Sequence, residues 1–195
     1  VHSSTKYLGG HGVTTGGMVV SRHADFVNFF GHLGQLASEL GSTPSPQDSW
    51  MINIGLKTLE VRMQRHASNA LAVAQYMLSH PKVGKVLYPG LTDNPYHDLA
   101  KRQMHNGFGG LVSFEVKGDI PAAHRFLDAL SIPSIAISLG ATDSLIQNPA
   151  TMTHRSVPKE VREAAGITDG LVRLSVGIEN IEDLLTDLDQ ALAQI

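Results

Sequence analysis

Apolar positions change their spacing several times along this chain, and the changes divide it. Ile52, Leu56, Leu59, Met63, Ala67, Ala70, Val73 and Met77 recur at intervals of three and four. That spacing lines one stripe of a helix. Ser45 ahead of Pro46 supplies an N-cap and a first helical residue. The pattern predicts one helix over 46–79, stopped by His80-Pro81 and open to a kink at Gly55. A helix that long exceeds the usual globular length and suits a bridge between two domains. Upstream, residues 16–20 read as a short buried strand. Residues 22–40 read as a helix with Phe26, Phe29 and Phe30 near one face, and 41–46 as a breaker. Downstream of Pro81 the period shortens. Strands are predicted over 83–88, 111–116, 132–138 and 171–176, and helices over 94–104, 121–130 and 181–195. Strands and helices in this order form an α+β layer with helices on one face of a small sheet. The domain boundary is placed near residue 60, separating 1–60 from 61–195.

Composition narrows the class. The chain has 195 residues, 42% of them hydrophobic and 17% charged, with a net charge of −3. No basic stripe argues for a nucleic-acid partner. No apolar run approaches the roughly 20 residues of a membrane span. With no cysteine there is neither disulfide nor thiolate metal site, which suits the cytosol. Ten histidines occur, but none stands at a ligand spacing such as H-E-x-x-H, so no metal site is expected.

Three places carry candidate chemistry. Lys6 lies between the hydroxyls of Ser3, Ser4 and Thr5 and the glycine-rich run Gly9-Gly10-His11-Gly12. A lysine amine there can form a Schiff base with an aldehyde cofactor, while hydroxyls and backbone N–H groups meet a phosphate. Neither the G-x-x-x-x-G-K-[ST] nor the G-x-G-x-x-G nucleotide pattern fits the run. Arg173 sits inside the alternating segment Leu171-Val172-Arg173-Leu174-Ser175-Val176. It is either a strand residue turned to solvent or a clamp for a carboxylate, which a guanidinium matches bidentately. Ser138-Leu139-Gly140 ends an apolar strand with a hydroxyl and a turn. Thr151-Met152-Thr153-His154 reads as a structural loop near the site.

Taken in order, several motifs resemble the Cys/Met-metabolism, or trans-sulfuration, family of pyridoxal-phosphate enzymes. They are HSSTKYLGGHG, TPSPQDSWMINIGLKTLEVRMQRH, YPGL followed by HDLAKRQM, GFGGLVSFEVKG, and ISLGATDSLIQNPATMTH with VPKEVREAAGITDGLVRLSVGIEN. The resemblance runs over essentially the whole chain. It implies an α/β, type I (aminotransferase-like) fold, with residues 1–60 ending the large cofactor domain and 61–195 forming the small C-terminal α+β domain. By the same resemblance, Lys6 would be the catalytic residue, linked to pyridoxal 5'-phosphate and later a proton shuttle. Ser3 and Thr5 would bind the cofactor phosphate. Arg173 and Ser138 would bind the substrate carboxylate.

The implied activity is a carbon–sulfur lyase working by γ-elimination on a sulfur amino acid, of the methionine γ-lyase or cystathionine γ-lyase type. A γ-replacement enzyme, a cystathionine β-lyase and a non-catalytic C-terminal fragment are the alternatives. Asp143 replaces a glutamate that many cystathionine-processing members carry, which favours the methionine γ-lyase type. The implied assembly is a cytoplasmic homotetramer of active dimers, acting on a small amino acid. A further N-terminal half would supply the aspartate facing the pyridine nitrogen and the tyrosine stacking on the ring. Without it, residues 1–195 are expected neither to hold the cofactor tightly nor to turn over substrate.

Overall fold

A computed structural model describes residues 1–28 and 31–195, in two compact units, Val1–Leu59 and Glu60–Ile195. Phe29 and Phe30, expected on the helix over 22–40, lie outside the described residues.

The first unit is built on a two-stranded antiparallel ladder. Strand β1 (His2–Ser3) pairs with β2 (Gly17–Met18), His2 opposite Met18 and Ser3 opposite Gly17. Between them lie a wide helical turn, Ser4–Leu8, and the glycine-rich loop. Three helices follow: α1 (Ala24–Val27), α2 (His32–Leu40) and α3 (Pro46–Leu56). The strand expected over 16–20 is shorter than predicted and not buried, with Val19 and Val20 exposed. A ladder of two strands gives those valines no second partner to pack on. Among the described residues, the helix expected over 22–40 is two pieces, α1 and α2, separated at Asn28 and Gly31.

The predicted long helix is also two. Helix α3 ends at Leu56 and α4 (Leu59–Ser79) begins after Lys57-Thr58. The Lys57 and Thr58 amides reach back three residues, to the carbonyls of Ile54 and Gly55. The Thr58 hydroxyl also donates to the Gly55 carbonyl at 3.3 Å. A hydroxyl that competes for a main-chain acceptor disturbs the helical ladder, and Thr58 does so three residues beyond Gly55.

In the second unit, β3 (Val83–Leu87), α5 (His97–Gln103), β4 (Leu111–Val116), α6 (Ile120–Asp128) and β5 (Ser134–Ile135) follow α4. Then come β6 (Leu145–Gln147), α7 (Lys159–Ala164), β7 (Leu171–Ser175) and α8 (Ile181–Leu192). The strands form a mixed sheet in the order β3-β4-β7-β6-β5, with only β5 and β6 parallel. On β4 and β7, Val112, Phe114, Val116, Val172 and Leu174 are buried in one core with Met77 of α4, Phe126 of α6 and Leu184, Leu188 and Leu192 of α8. Helices therefore cover one sheet face, as two-layer packing requires. The other face carries Ser113 of β4, Arg173 of β7 and Gln147 of β6 side by side in register.

Strand β6 and helix α7 were not expected. The strand expected over 132–138 keeps only Ser134–Ile135 in the ladder. Residues 137 and 138 leave it, and their carbonyls turn to Arg173.

Candidate functional site

The Lys6 turn is held by its own backbone. The Ser4 amide donates to the Gly16 carbonyl at 2.9 Å, and the Gly16 amide donates to the Thr5 hydroxyl at 2.9 Å. At Lys6 the chain leaves helical geometry (φ −93°, ψ −134°), while its carbonyl accepts from the Gly10 amide at 2.7 Å. Two glycines are dictated by close approach rather than by a ligand. A Cβ on Gly16 would sit 2.6 Å from the Ser4 hydroxyl oxygen, which is buried with no hydrogen-bond partner among the described residues. A Cβ on Gly55 would collide with the Gly9 carbonyl, so α3 lies directly against the Lys6 turn.

Helix α3 is anchored to the same loop at its other end. Asp48 accepts from the Thr14 hydroxyl at 2.7 Å and from the Ser45 hydroxyl at 2.7 Å, while Ser45 caps the Asp48 amide at 3.0 Å. The hydrogen bond from Ser45, then that from Thr14, holds the half-buried Asp48 carboxyl below its ordinary pKa.

The three proposed residues of this turn present different faces. Ser3 is exposed and Lys6 half-exposed. Thr5 uses its oxygen to accept from Gly16, and its own proton goes to the Gly16 carbonyl over a long 3.3 Å. A bond that long is readily exchanged for a charged acceptor. The set therefore fits a phosphate next to a primary amine: an exposed hydroxyl, a second with a weakly held proton, and Lys6 one residue on.

The second group lies on the open face of the sheet. Arg173 is half-buried, and its Nη2 donates to the carbonyls of Ile137 at 2.6 Å and Ser138 at 3.1 Å. Leu171 and Arg173 lie on the face of the sheet away from the helices. No carboxylate of the described residues pairs with Arg173. Burial lowers its pKa from the usual guanidinium value, though the group stays charged at any physiological pH. A half-buried cation with no carboxylate partner among the described residues keeps the charge to receive an anion. Ser138 enters through its carbonyl, which orients the guanidinium. The next turn is fixed in its place, because the Gly140 amide donates to the Ser175 hydroxyl at 2.9 Å.

Sequence reasoning missed the polar residues that brace this face. Gln147 is buried opposite Arg173, and its only sequence signal is an amide ending the apolar pair Leu145-Ile146. Asn148 is buried and donates to the carbonyls of Asp169 at 2.8 Å and Leu171 at 3.0 Å. Its Oδ1 accepts from the Thr151 amide at 3.0 Å, so the 151–154 segment is a turn fixed by Asn148. Asp187 of α8 accepts from the amides of Ser131 and Ile132 at 2.9–3.1 Å, just before β5. The Asp169 carboxylate pairs with Lys159 at 2.6 Å and with Arg162, holding α7. On α4, buried His66 contacts the Val176 carbonyl through Nδ1 at 2.7 Å, and desolvation lowers its pKa.

Among the described residues, no group of three or more histidines and carboxylates could hold a metal ion, and no helix is long and apolar enough to cross a membrane.

Residues 1–193 match the family described as Cys/Met metabolism PLP-dependent enzyme. An L-methionine gamma-lyase of Fusobacterium nucleatum subsp. nucleatum is 50% identical over 100% of this chain and 49% of its own length. A cystathionine beta-lyase of Lactococcus lactis subsp. cremoris is 47% identical over 98% of this chain and 49% of its own length. Among solved structures, cystathionine gamma synthase from Xanthomonas oryzae pv. oryzae in complex with aminoacrylate and cysteine superposes with a TM-score of 0.92. It is 46% identical and covers 99% of this chain and 49% of its own. The chain thus spans about half the length of the relatives it matches.

Proposed function

The chain belongs to the Cys/Met metabolism PLP-dependent enzyme family, and from that premise we propose that it is the lysine- and arginine-bearing half of a carbon–sulfur lyase that removes the γ-substituent of a sulfur amino acid. The observation that carries the reading is the 50% identity to a methionine gamma-lyase along the whole chain, with Lys6 standing in a glycine-braced turn beside two hydroxyls. In this reading residues 1–60 end the cofactor domain and 61–195 form the small domain. The complete enzyme is a cytoplasmic homotetramer.

Pyridoxal phosphate, when bound, supplies an aldehyde that condenses with an amine and a ring that withdraws electrons from the substrate α-carbon. Ser3 and Thr5 would hold its phosphate, the latter with the proton now in its long bond to the Gly16 carbonyl. Arg173 takes the substrate α-carboxylate in a charge-assisted contact, and the Ser138 carbonyl keeps the guanidinium facing it. Lys6 Nζ would take the α-proton, pass it on to the electron-withdrawing group and, neutral again, take a β-proton, which is the one that departs with the thiol. The bond from the γ-carbon to sulfur then breaks with its electron pair on sulfur, and the thiol leaves with one proton.

The complete enzyme, supplied in turn with methionine, cystathionine, cysteine and O-acetylhomoserine, tests the reading. Release of 2-oxobutyrate with a thiol from methionine is expected. Pyruvate as the only keto acid from every substrate would contradict γ-elimination and favour the β-lyase chemistry of the Lactococcus relative.

A further inference from the structure

Arg173 is held by three oxygens, all of them uncharged. Two are the Ile137 and Ser138 carbonyls, both on Nη2. The third belongs to Gln147. With its amide oxygen toward the guanidinium, that oxygen lies 3.2 Å from Nη1, 3.2 Å from Nη2 and 3.3 Å from Nε. The reverse orientation would set an NH2 group against a cation, donor against donor. An oxygen almost equidistant from all three nitrogens of a planar group lies over its face. Gln147 therefore makes an ion–dipole contact from above and takes up none of the in-plane N–H directions. Among the described residues no carbonyl or carboxylate accepts in plane from Nε or Nη1.

Gln147 is itself well placed to fix this geometry. It is 1% exposed, it stands directly opposite Arg173 in the ladder, and its neighbour Asn148 is tied to the Asp169 and Leu171 carbonyls. A glutamate there would neutralise the guanidinium. An apolar residue would leave its face uncovered and its plane free to tilt.

We propose that Gln147 is a positioning residue: its amide oxygen fixes the plane of the Arg173 guanidinium while leaving the charge intact for an incoming α-carboxylate. The proposal rests on the reading of Arg173 as the carboxylate site. Gln147 touches the arginine and not the substrate, so its effect should fall on recognition of the carboxylate and leave the chemical step alone.

The test compares the complete holoenzyme with its Gln147→Met and Arg173→Ala variants, using an amino-acid substrate and its methyl ester. The readouts are KM, kcat and the ratio of kcat/KM between acid and ester. Gln147→Met keeps the side-chain volume and removes the oxygen. It should raise KM for the acid about tenfold, the lower end of what one contact with a charged group is worth. The ester KM and the kcat should hold within about twofold on the same grounds. Arg173→Ala should abolish the preference for the acid. If Gln147→Met does not fold, Gln147→Asn, whose shorter side chain withdraws the oxygen, is read in the same way. A wild-type acid-to-ester ratio in the Gln147 variant, beside a collapsed ratio in Arg173→Ala, overturns the positioning role alone. An unchanged ratio in Arg173→Ala overturns the carboxylate reading and the role of Gln147 with it. A fall in kcat equal for acid and ester shows a merely structural residue, and that too overturns the proposal.

Discussion

The two halves of the candidate chemistry are built in opposite ways. The Lys6 turn is a backbone construction, in which Ser4, Thr5 and Gly16 exchange main-chain and hydroxyl bonds over eleven or twelve positions of sequence. It has little core beneath it. Among the described residues of Val1–Leu59, Ile52 is the one large apolar side chain that is buried, while Val20, Phe26, Leu40 and Trp50 are exposed. The Arg173 face is a tertiary construction. Its residues come from 137–138, 147 and 173, brought together by a sheet whose other side rests on a continuous apolar core. A site of the first kind is readable as a contiguous motif and depends on whatever covers its apolar surface. A site of the second kind is scattered in sequence and carries its own stability.

The contrast can be broken most forcefully in the core. Phe126 is fully buried and meets Phe114 edge-on, ring centroids 5.9 Å apart. Phe126→Ala should cost about 3–5 kcal/mol and lower the denaturant midpoint of the sheet unit. A loss under about 1 kcal/mol would mean that the face does not rest on a packed core.

Removing the oxygens of Asp187 comes next. Three contacts from two backbone amides end on that buried carboxylate, so Asp187→Ala should cost about 1.5–3 kcal/mol and loosen the approach to residues 137–138. Protection of the Ile132 amide against hydrogen exchange reads the effect, and unchanged protection would count against the anchor.

In the other region, Gly55→Ala tests how closely α3 lies against the turn. The added methyl meets the Gly9 carbonyl, an overpacking that costs about 1–3 kcal/mol. Cofactor absorbance in the complete enzyme should fall with it, whereas Phe126→Ala should spare the spectrum until the sheet unit melts.

The smallest effect is a pH dependence, and its pH window separates the units. The His66 pKa is lowered by burial, so the folded state binds fewer protons than the unfolded one. Its contribution is complete above the unfolded value near 6.5 and is lost as pH falls below that. The Asp48 pKa is lowered by its hydrogen bonds. Its contribution is present above the ordinary carboxylate value and disappears only as pH falls through the lowered one. Mild acid should therefore weaken the sheet unit first. Thermal melts between pH 7 and 5 measure this, and His66→Gln should flatten the slope.

How much of this was legible follows from the same contrast. The Ser45 cap, the alternation over β4 and β7 and the amphipathic α8 all follow from local chemistry, and all are present. The Ser3–Lys6 run stands out as a candidate because its residue types are contiguous. The long helix divides at Lys57-Thr58, beside the kink expected at Gly55, where the Thr58 hydroxyl shares the Gly55 carbonyl. Strand β6 was missed because a three-residue strand gives no periodicity to read. With it went Gln147, whose meaning exists only opposite Arg173.

The account stands most directly on which lysine carries the cofactor. The complete enzyme is loaded with pyridoxal phosphate, reduced with borohydride, digested and mapped by mass spectrometry. The phosphopyridoxyl group should sit on Lys6 alone. Its appearance on Lys57, Lys85 or another lysine, with the Lys6 peptide unmodified, would contradict the account.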